Sequence, residues 1–132
     1  MVILTPRDIS GNALTSLPDR FDTLPTLANI NAAFNNLTGS IPTTLLTHPT
    51  LKTLNLASNG FTGEIVINSV NLTSIALNKN QLTSVRVMEG SGLVKVDLAD
   101  NKFQGLMPDL TSSSCLQIFD ASSNKSAHPR SR

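Results

Sequence analysis

Few side chains in this sequence can do chemistry, and their spacing says which kind. The carboxylates Asp97, Asp100 and Asp120 fall within 24 residues of one another. Grouped carboxylates serve as a general acid and base or as ligands of a cation. Lys79, Lys95 and Lys102 lie near enough to balance their charge, which favours a solvated face, or an acidic patch for a basic partner, over catalysis. His48 precedes Pro49 in an apparent loop and His128 stands in the tail. Neither has His or Cys companions at metal-ligand spacing. The single cysteine, Cys115, cannot make an internal disulfide and is expected to be a small buried hydrophobe. No nucleophile–base motif, phosphate loop or zinc spacing occurs. The sequence thus gives no reason to expect catalysis, a metal or a cofactor.

One modification chemistry remains. Asn36-Leu-Thr, Asn71-Leu-Thr and Asn124-Lys-Ser are acceptor triplets for N-glycosylation. The chain holds 13 Asn, 14 Thr and 15 Ser in 132 residues, so chance alone gives about three such triplets. Asn36 and Asn71 fall in turns and are the candidates.

The same composition excludes other classes. Net charge is +1 and only 14% of residues are charged, so no polyelectrolyte partner is implied. Trp and Tyr are absent and Phe occurs five times, which argues against stacking platforms for nucleic acid. No apolar run reaches membrane-spanning length. The opening MVILTP is too short for the apolar region of a signal peptide and lacks a basic start.

What must position these side chains is a repeat. LTPRDISGNAL, LANINAAFNNL, LKTLNLASNGF, LTSIALNKNQL, LVKVDLADNKF and LQIFDASSNKS begin at Leu4, Leu27, Leu51, Leu72, Leu93 and Leu116. With few exceptions, apolar or small residues occupy positions 1, 4, 6 and 11, and Asn occupies position 9. The anchors Asn12, Asn35, Asn59, Asn80, Asn101 and Asn124 are spaced by 23, 24, 21, 21 and 23 residues. Positions 3 to 7 read as a short strand, with 4 and 6 on one face and 3, 5 and 7 on the other. One copy cannot bury its own apolar face, so copies stack as a solenoid. Where the chain turns inward after the strand, its backbone groups lose water and need partners. A buried Asn offers two donors and an acceptor. A ladder of asparagines bonding their own turn and the neighbouring one is therefore predicted. Leucine there would strand those groups at roughly 1–3 kcal/mol each.

Both the motif and its period match the leucine-rich repeat pattern. The continuations NLTGSIP, GFTGEIV and KFQGLMP resemble the plant-type subclass, whose signature runs on as L-x-G-x-I-P. The fourth copy, LTSVRVM, lacks the Gly and Pro. Similar repeats occur in plant receptor-like proteins and in surface antigens of kinetoplastid parasites. The resemblance implies an α/β solenoid of the horseshoe kind, with a concave parallel β-sheet of about six short strands. Its convex side is expected to be mostly irregular or 3₁₀, with little α-helix. GEIVINSVN and TSVRVMEGSG look extended, and IPTTLLTHPT has room for one helical turn before Pro49. The repeats form one domain over 1–126, followed by a polar tail over 127–132. The first and last copies are degraded. Either further repeats or a capping domain complete the array in a longer protein, or these copies serve as polar caps.

Repeat phase sets the concave face. It presents Pro6, Asp8 and Ser10; Asn29, Asn31 and Ala33; Thr53, Asn55 and Ala57; Ser74, Ala76 and Asn78; Lys95, Asp97 and Ala99; and Ile118, Asp120 and Ser122. Phe34 stands at position 8, where the other copies carry Gly, Ser, Lys, Asp and Ser. An aromatic there is either a binding anchor or tucked under a loop. The resemblance implies protein or peptide recognition on this face, with Asn29, Asn31, Phe34, Thr53, Asn55, Ser74, Asn78, Lys95, Asp97 and Asp120 as its residues. A non-catalytic recognition module of an extracellular or cell-surface protein follows, without nucleic acid and without direct membrane insertion. Two other readings stay open: an intracellular (cytoplasmic) scaffold or assembly subunit that docks through its edges or convex side, and a fragment of a receptor kinase ectodomain.

Overall fold

The computed structural model describes residues 7–17, 20–23, 26–69, 71–88, 91–104 and 115–124. Pro6, His128, the segment after Gln104 that completes the fifth signature, and the tail lie outside them. Among the described residues nine strands are laid down in chain order. Strands β1 (Arg7–Asp8), β2 (Asn29–Asn31), β4 (Thr53–Asn55), β6 (Ser74–Ala76), β8 (Lys95–Asp97) and β9 (Ile118–Asp120) form one parallel sheet in that spatial order. Neighbouring strands pair like positions with like, as in Asn29↔Thr53 and Asn31↔Asn55, and β1 joins through Arg7↔Ile30 and Asp8↔Asn31. Strands β3 (Thr38–Gly39), β5 (Gly60–Ile67) and β7 (Gln81–Val87) form a second parallel sheet.

The core lies between these layers. Positions 1, 4, 6 and 11 of the middle repeats supply it, as with Leu51, Leu54, Leu56 and Phe61, all essentially inaccessible. Each such side chain contributes roughly 1.5–3 kcal/mol through the water it leaves. The first and last repeats are less enclosed: Leu14 is exposed, and Leu116, Phe119 and Ala121 are only partly buried.

The second sheet begins at the L-x-G signature. Gly39 and Gly63 adopt φ of +81° and +88°, in open space, so conformation rather than crowding calls for glycine there. Ser84 holds the same repeat position in β7, and the β5–β7 register shifts between Gly63 and Glu64. The two extended segments thus run as regular strands of eight and seven residues. Among the described residues helix is limited to one turn, α1 (Thr43–Leu46), which follows Pro42 and buries Leu45 and Leu46, and a 3₁₀ turn at Phe21–Thr23.

Candidate binding surface

The asparagine at position 9 holds each repeat to the one before it. Asn80 Nδ2 donates to the carbonyls of Leu56 (2.9 Å), Leu77 (3.1 Å) and Asn78 (3.4 Å), while its Oδ1 accepts from Phe61 N–H (3.0 Å). Asn101 repeats the pattern on Leu77, Leu98 and Ala99, with Leu82 N–H as donor. Asn35, Asn59 and Asn124 do the same one repeat along. Asn12, at the exposed end, reaches only the Ile9 and Ser10 carbonyls of its own repeat. These side chains face inward and are committed to backbone.

A second row runs along the concave face. At position 5, Asp8, Asn31, Asn55, Asp97 and Asp120 each accept, through Oδ1, the backbone N–H two residues on. The acceptor distances to Ser10, Ala33, Ala57, Ala99 and Ser122 are 3.0, 3.1, 3.0, 3.1 and 2.9 Å. These are Asx turns, the local bond that Asn and Asp side chains form most readily. Four residues assigned to the binding face by phase, Asn31, Asn55, Asp97 and Asp120, thus also hold the backbone. The signal was visible as Asn or Asp at position 5 in five of six copies.

Position 7 corrects the phase reading. Ala33, Ala57 and Ala99 are buried, not presented on the face, because the chain is already turning inward there. The outward set is therefore positions 3 and 5, joined at position 7 by Ser10, Asn78 and Ser122. Asn29, Asn31, Thr53, Asn55, Ser74 and Asp97 are half-exposed, and Lys95, Ile118 and Asp120 are exposed. Asn78, at position 7 of the fourth repeat, keeps partial exposure. Thr53 Oγ1 donates to Asn29 Oδ1 between β4 and β2.

Position 8 carries a backbone rule that the residue types hid. Gly11, Phe34, Ser58, Lys79, Asp100 and Ser123 all have φ between +56° and +70°. A left-handed residue ends every concave strand. Phe34 is the bulky one, and its ring is 66% exposed. The N-terminal half of the face thus carries an aromatic and, at its edge, the Asp8 carboxylate, while the C-terminal half carries Lys79, Lys95, Asp97, Asp100 and Asp120.

The carboxylates do not converge on a reaction centre. Asp97 and Asp120 are register partners, and each is bonded to its own turn. The Ser122 backbone N–H, and then its hydroxyl, hold the Asp120 carboxyl below its ordinary value; at Asp8 the Ser10 hydroxyl leads and its N–H follows. Hydrogen bonds to the charged form produce that direction, opposite to what a general acid needs. Among the described residues no group of His, Cys, Asp or Glu is arranged to hold a metal ion. His48 is 1% exposed; its Nδ1 accepts from Thr50 N–H (3.2 Å), and its carbonyl accepts from Ser69 Oγ. Cys115 is exposed, which corrects the buried reading: it precedes the half-enclosed last repeat instead of pointing into the core. Of the three acceptor asparagines, Asn36 and Asn71 are exposed. Asn71 Nδ2 donates to the Pro49 carbonyl and Thr73 Oγ1 to the Lys52 carbonyl. Asn124 belongs to the inward ladder.

Comparison with known proteins agrees with this architecture. Residues 50–69 match the family model described as Leucine Rich Repeat. No curated protein matches the chain. Among solved structures it is similar to the Arabidopsis receptor kinase HAESA, solved in complex with the peptide hormone IDA and the co-receptor SERK1. The TM-score is 0.53 at 21% identity, over 90% of this chain and 30% of that one. It is also similar to the plant peptide hormone receptor RGFR1 in complex with RGF2, with TM-score 0.51 at 19% identity, over 92% of this chain and 28% of that one. The chain thus spans less than a third of either receptor chain, and the likeness is one of fold. The molecule has the leucine-rich-repeat solenoid fold. Among the described residues no helix is long and apolar enough to cross a membrane.

Proposed function

We propose that this chain is a non-catalytic recognition module that binds a protein or peptide on its concave face, as part of an extracellular or cell-surface protein. The observation that carries the reading is Phe34. A bulky residue at φ +59° is disfavoured by roughly 1–2 kcal/mol, and its ring is two-thirds exposed on the rim of a face of Asn, Thr and Ser. The left-handed φ is shared by all six repeats and belongs to the fold, but a smaller residue would meet it at less cost. An exposed aromatic there makes sense if the ring is covered by a partner, because rigid aromatics dominate interface energies. The solved relatives lend support, since both are receptors bound to peptide hormones.

The test is a partner captured by the full repeat array and measured against Phe34→Asn. Asn tolerates the left-handed region, so the fold should gain a few tenths to about 1 kcal/mol while affinity falls roughly 10- to 100-fold. Ser74→Arg, whose side chain has no backbone duty among the bonds described above, should weaken the same complex. Asn31 and Asn55 are poor probes, because removing them also unties an Asx turn. Affinity unchanged in both variants would refute concave-face recognition.

A further inference from the structure

The Asx row has one gap. In the fourth repeat position 5 is Ala76, which has no acceptor, and the N–H it would have served is that of Asn78. Among the described residues that N–H has no hydrogen-bond partner. The sheet does not supply one. Between repeats the ladder uses the N–H of positions 6 and 8, as in Leu77 N–H to Asp97 O (2.8 Å) and Lys79 N–H to Ala99 O (2.9 Å). The position 7 N–H falls outside it, and five repeats satisfy it with their own side chain. A backbone donor left open in a half-exposed surface is an unfilled bonding site, and Ala76 leaves a methyl group where its neighbours place an amide or carboxylate.

The flanks of this notch define its occupant. Ala76 is in register with Asn55 on one side and Asp97 on the other. Asn55 Oδ1 is spent on Ala57 N–H, so its Nδ2 donors remain. Asp97 Oδ1 is spent on Ala99 N–H, so its second oxygen remains. The notch therefore offers N–H donors from Asn78 and Asn55 and an anionic acceptor from Asp97. A carboxylate placed there would sit one strand spacing, roughly 4.8 Å, from the like charge of Asp97. An amide group matches all three. Its carbonyl accepts from Asn78 N–H and Asn55 Nδ2, and its N–H donates to Asp97.

We propose that the notch over Ala76 is a subsite for an amide group of a bound peptide, which completes the row that the chain leaves open. This rests on concave-face recognition and names the chemistry of one point on that face. The amide can come from an Asn or Gln side chain or from the peptide main chain.

The probes are acetamide, N-methylacetamide, N,N-dimethylacetamide and acetate, titrated at equal ionic strength into the ¹⁵N-labelled chain. Asn78 backbone N–H should shift saturably with acetamide, while Ala57 and Ala99, whose acceptors are in place, should not. Dimethylacetamide, which cannot donate to Asp97, and acetate, which Asp97 repels, should give a small response or none. An equal response to N-methylacetamide assigns the site to a main-chain amide; a response to acetamide alone assigns it to a carboxamide side chain. Ala76→Asn, which supplies the sixth Asx residue, should abolish the shift and raise the urea midpoint. An Asn78 shift no greater than that of Ala57, or an undiminished shift in Ala76→Asn, overturns the proposal. Neither result bears on Phe34 and partner affinity, which test the face as a whole.

Discussion

Replacing Asn80 by leucine gives the sharpest test of how the repeats are held together. Asn80 is 7% exposed and makes four hydrogen bonds. Their loss is unequal. The Leu56 carbonyl keeps Asn59 Nδ2 (3.2 Å), the Leu77 carbonyl keeps Asn101 Nδ2 (2.9 Å), and the Asn78 carbonyl keeps Ser58 N–H (2.9 Å). The Phe61 N–H, beside a buried ring, loses the acceptor it has. One stranded donor costs about 1–3 kcal/mol, and three carbonyls that each lose one of two partners add about 0.5 kcal/mol apiece. Burial of the leucine returns about 1 kcal/mol. The net loss is about 1.5–3.5 kcal/mol, a large part of the stability of a domain this size. Urea unfolding followed by circular dichroism should show the lowered midpoint, and amide exchange should show Phe61 losing protection. Asn12→Leu is the control: Asn12 is exposed and its side chain bonds only within its own repeat, while its backbone N–H keeps Asn35 Oδ1 in the variant, so the loss should stay below about 1 kcal/mol. Equal losses at the two positions, or a loss under about 1 kcal/mol at Asn80, would refute the inter-repeat ladder as the source of stability.

Further outcomes follow from single features. Because its folded pKa is depressed, Asp120 adds stability that is complete above its unfolded value, near 3.9, and is lost as pH falls through the folded value. Asp120→Asn should therefore flatten the acid limb of the urea midpoint below about pH 4, by tenths of a kcal/mol at most for so exposed a group. In a secretory expression host a peptide map should find the glycan on Asn36. Asn71 and Asn124, whose amides are engaged, should be unmodified; occupancy at Asn124 in folded material would contradict the inward ladder. The native protein should react with a thiol reagent at Cys115 at the rate of a free thiol, and full protection would refute its exposure.

Strand positions and sheet order were legible because they follow from spacing alone. An Asn every 21 to 24 residues behind a period-two apolar pattern admits one stacking register, and the positions that pack inward announce themselves as Leu, Ile, Val and Phe. The site was legible only in part, for reasons of backbone. Gly, Phe, Ser, Lys, Asp and Ser share no side-chain property at position 8; they share a left-handed φ, which a residue alphabet does not spell. Strict alternation put Ala33, Ala57 and Ala99 outside, but alternation fails where the strand starts to turn. Asn and Asp at position 5 were plainly repeated, yet a repeated polar residue on an open face reads equally as ligand contact and as local cap. Only the N–H two residues further on decides it.

If the concave face is the recognition surface, that distinction also says which of its points a partner would use. A solenoid keeps every turn alike, so a rule obeyed in all copies describes the fold, and a departure from it needs another cause. The concave side has two departures. Phe34 takes the required φ with a side chain unsuited to it, and Ala76 omits the cap that the other five repeats supply. They lie on repeats two and four, with β4 between them. Two strand spacings amount to roughly 10 Å, about three residues of extended chain. A peptide laid across β2, β4 and β6 could therefore place an apolar side chain on Phe34 and an amide over Ala76 at once. The intervening Thr53 and Asn55 would face its backbone. If one ligand uses both points, Phe34→Asn and Ala76→Asn should each weaken it. Two independent sites would instead divide the loss between different ligands. The charged residues of repeats five and six lie beyond this span and would then govern a different stretch of the partner.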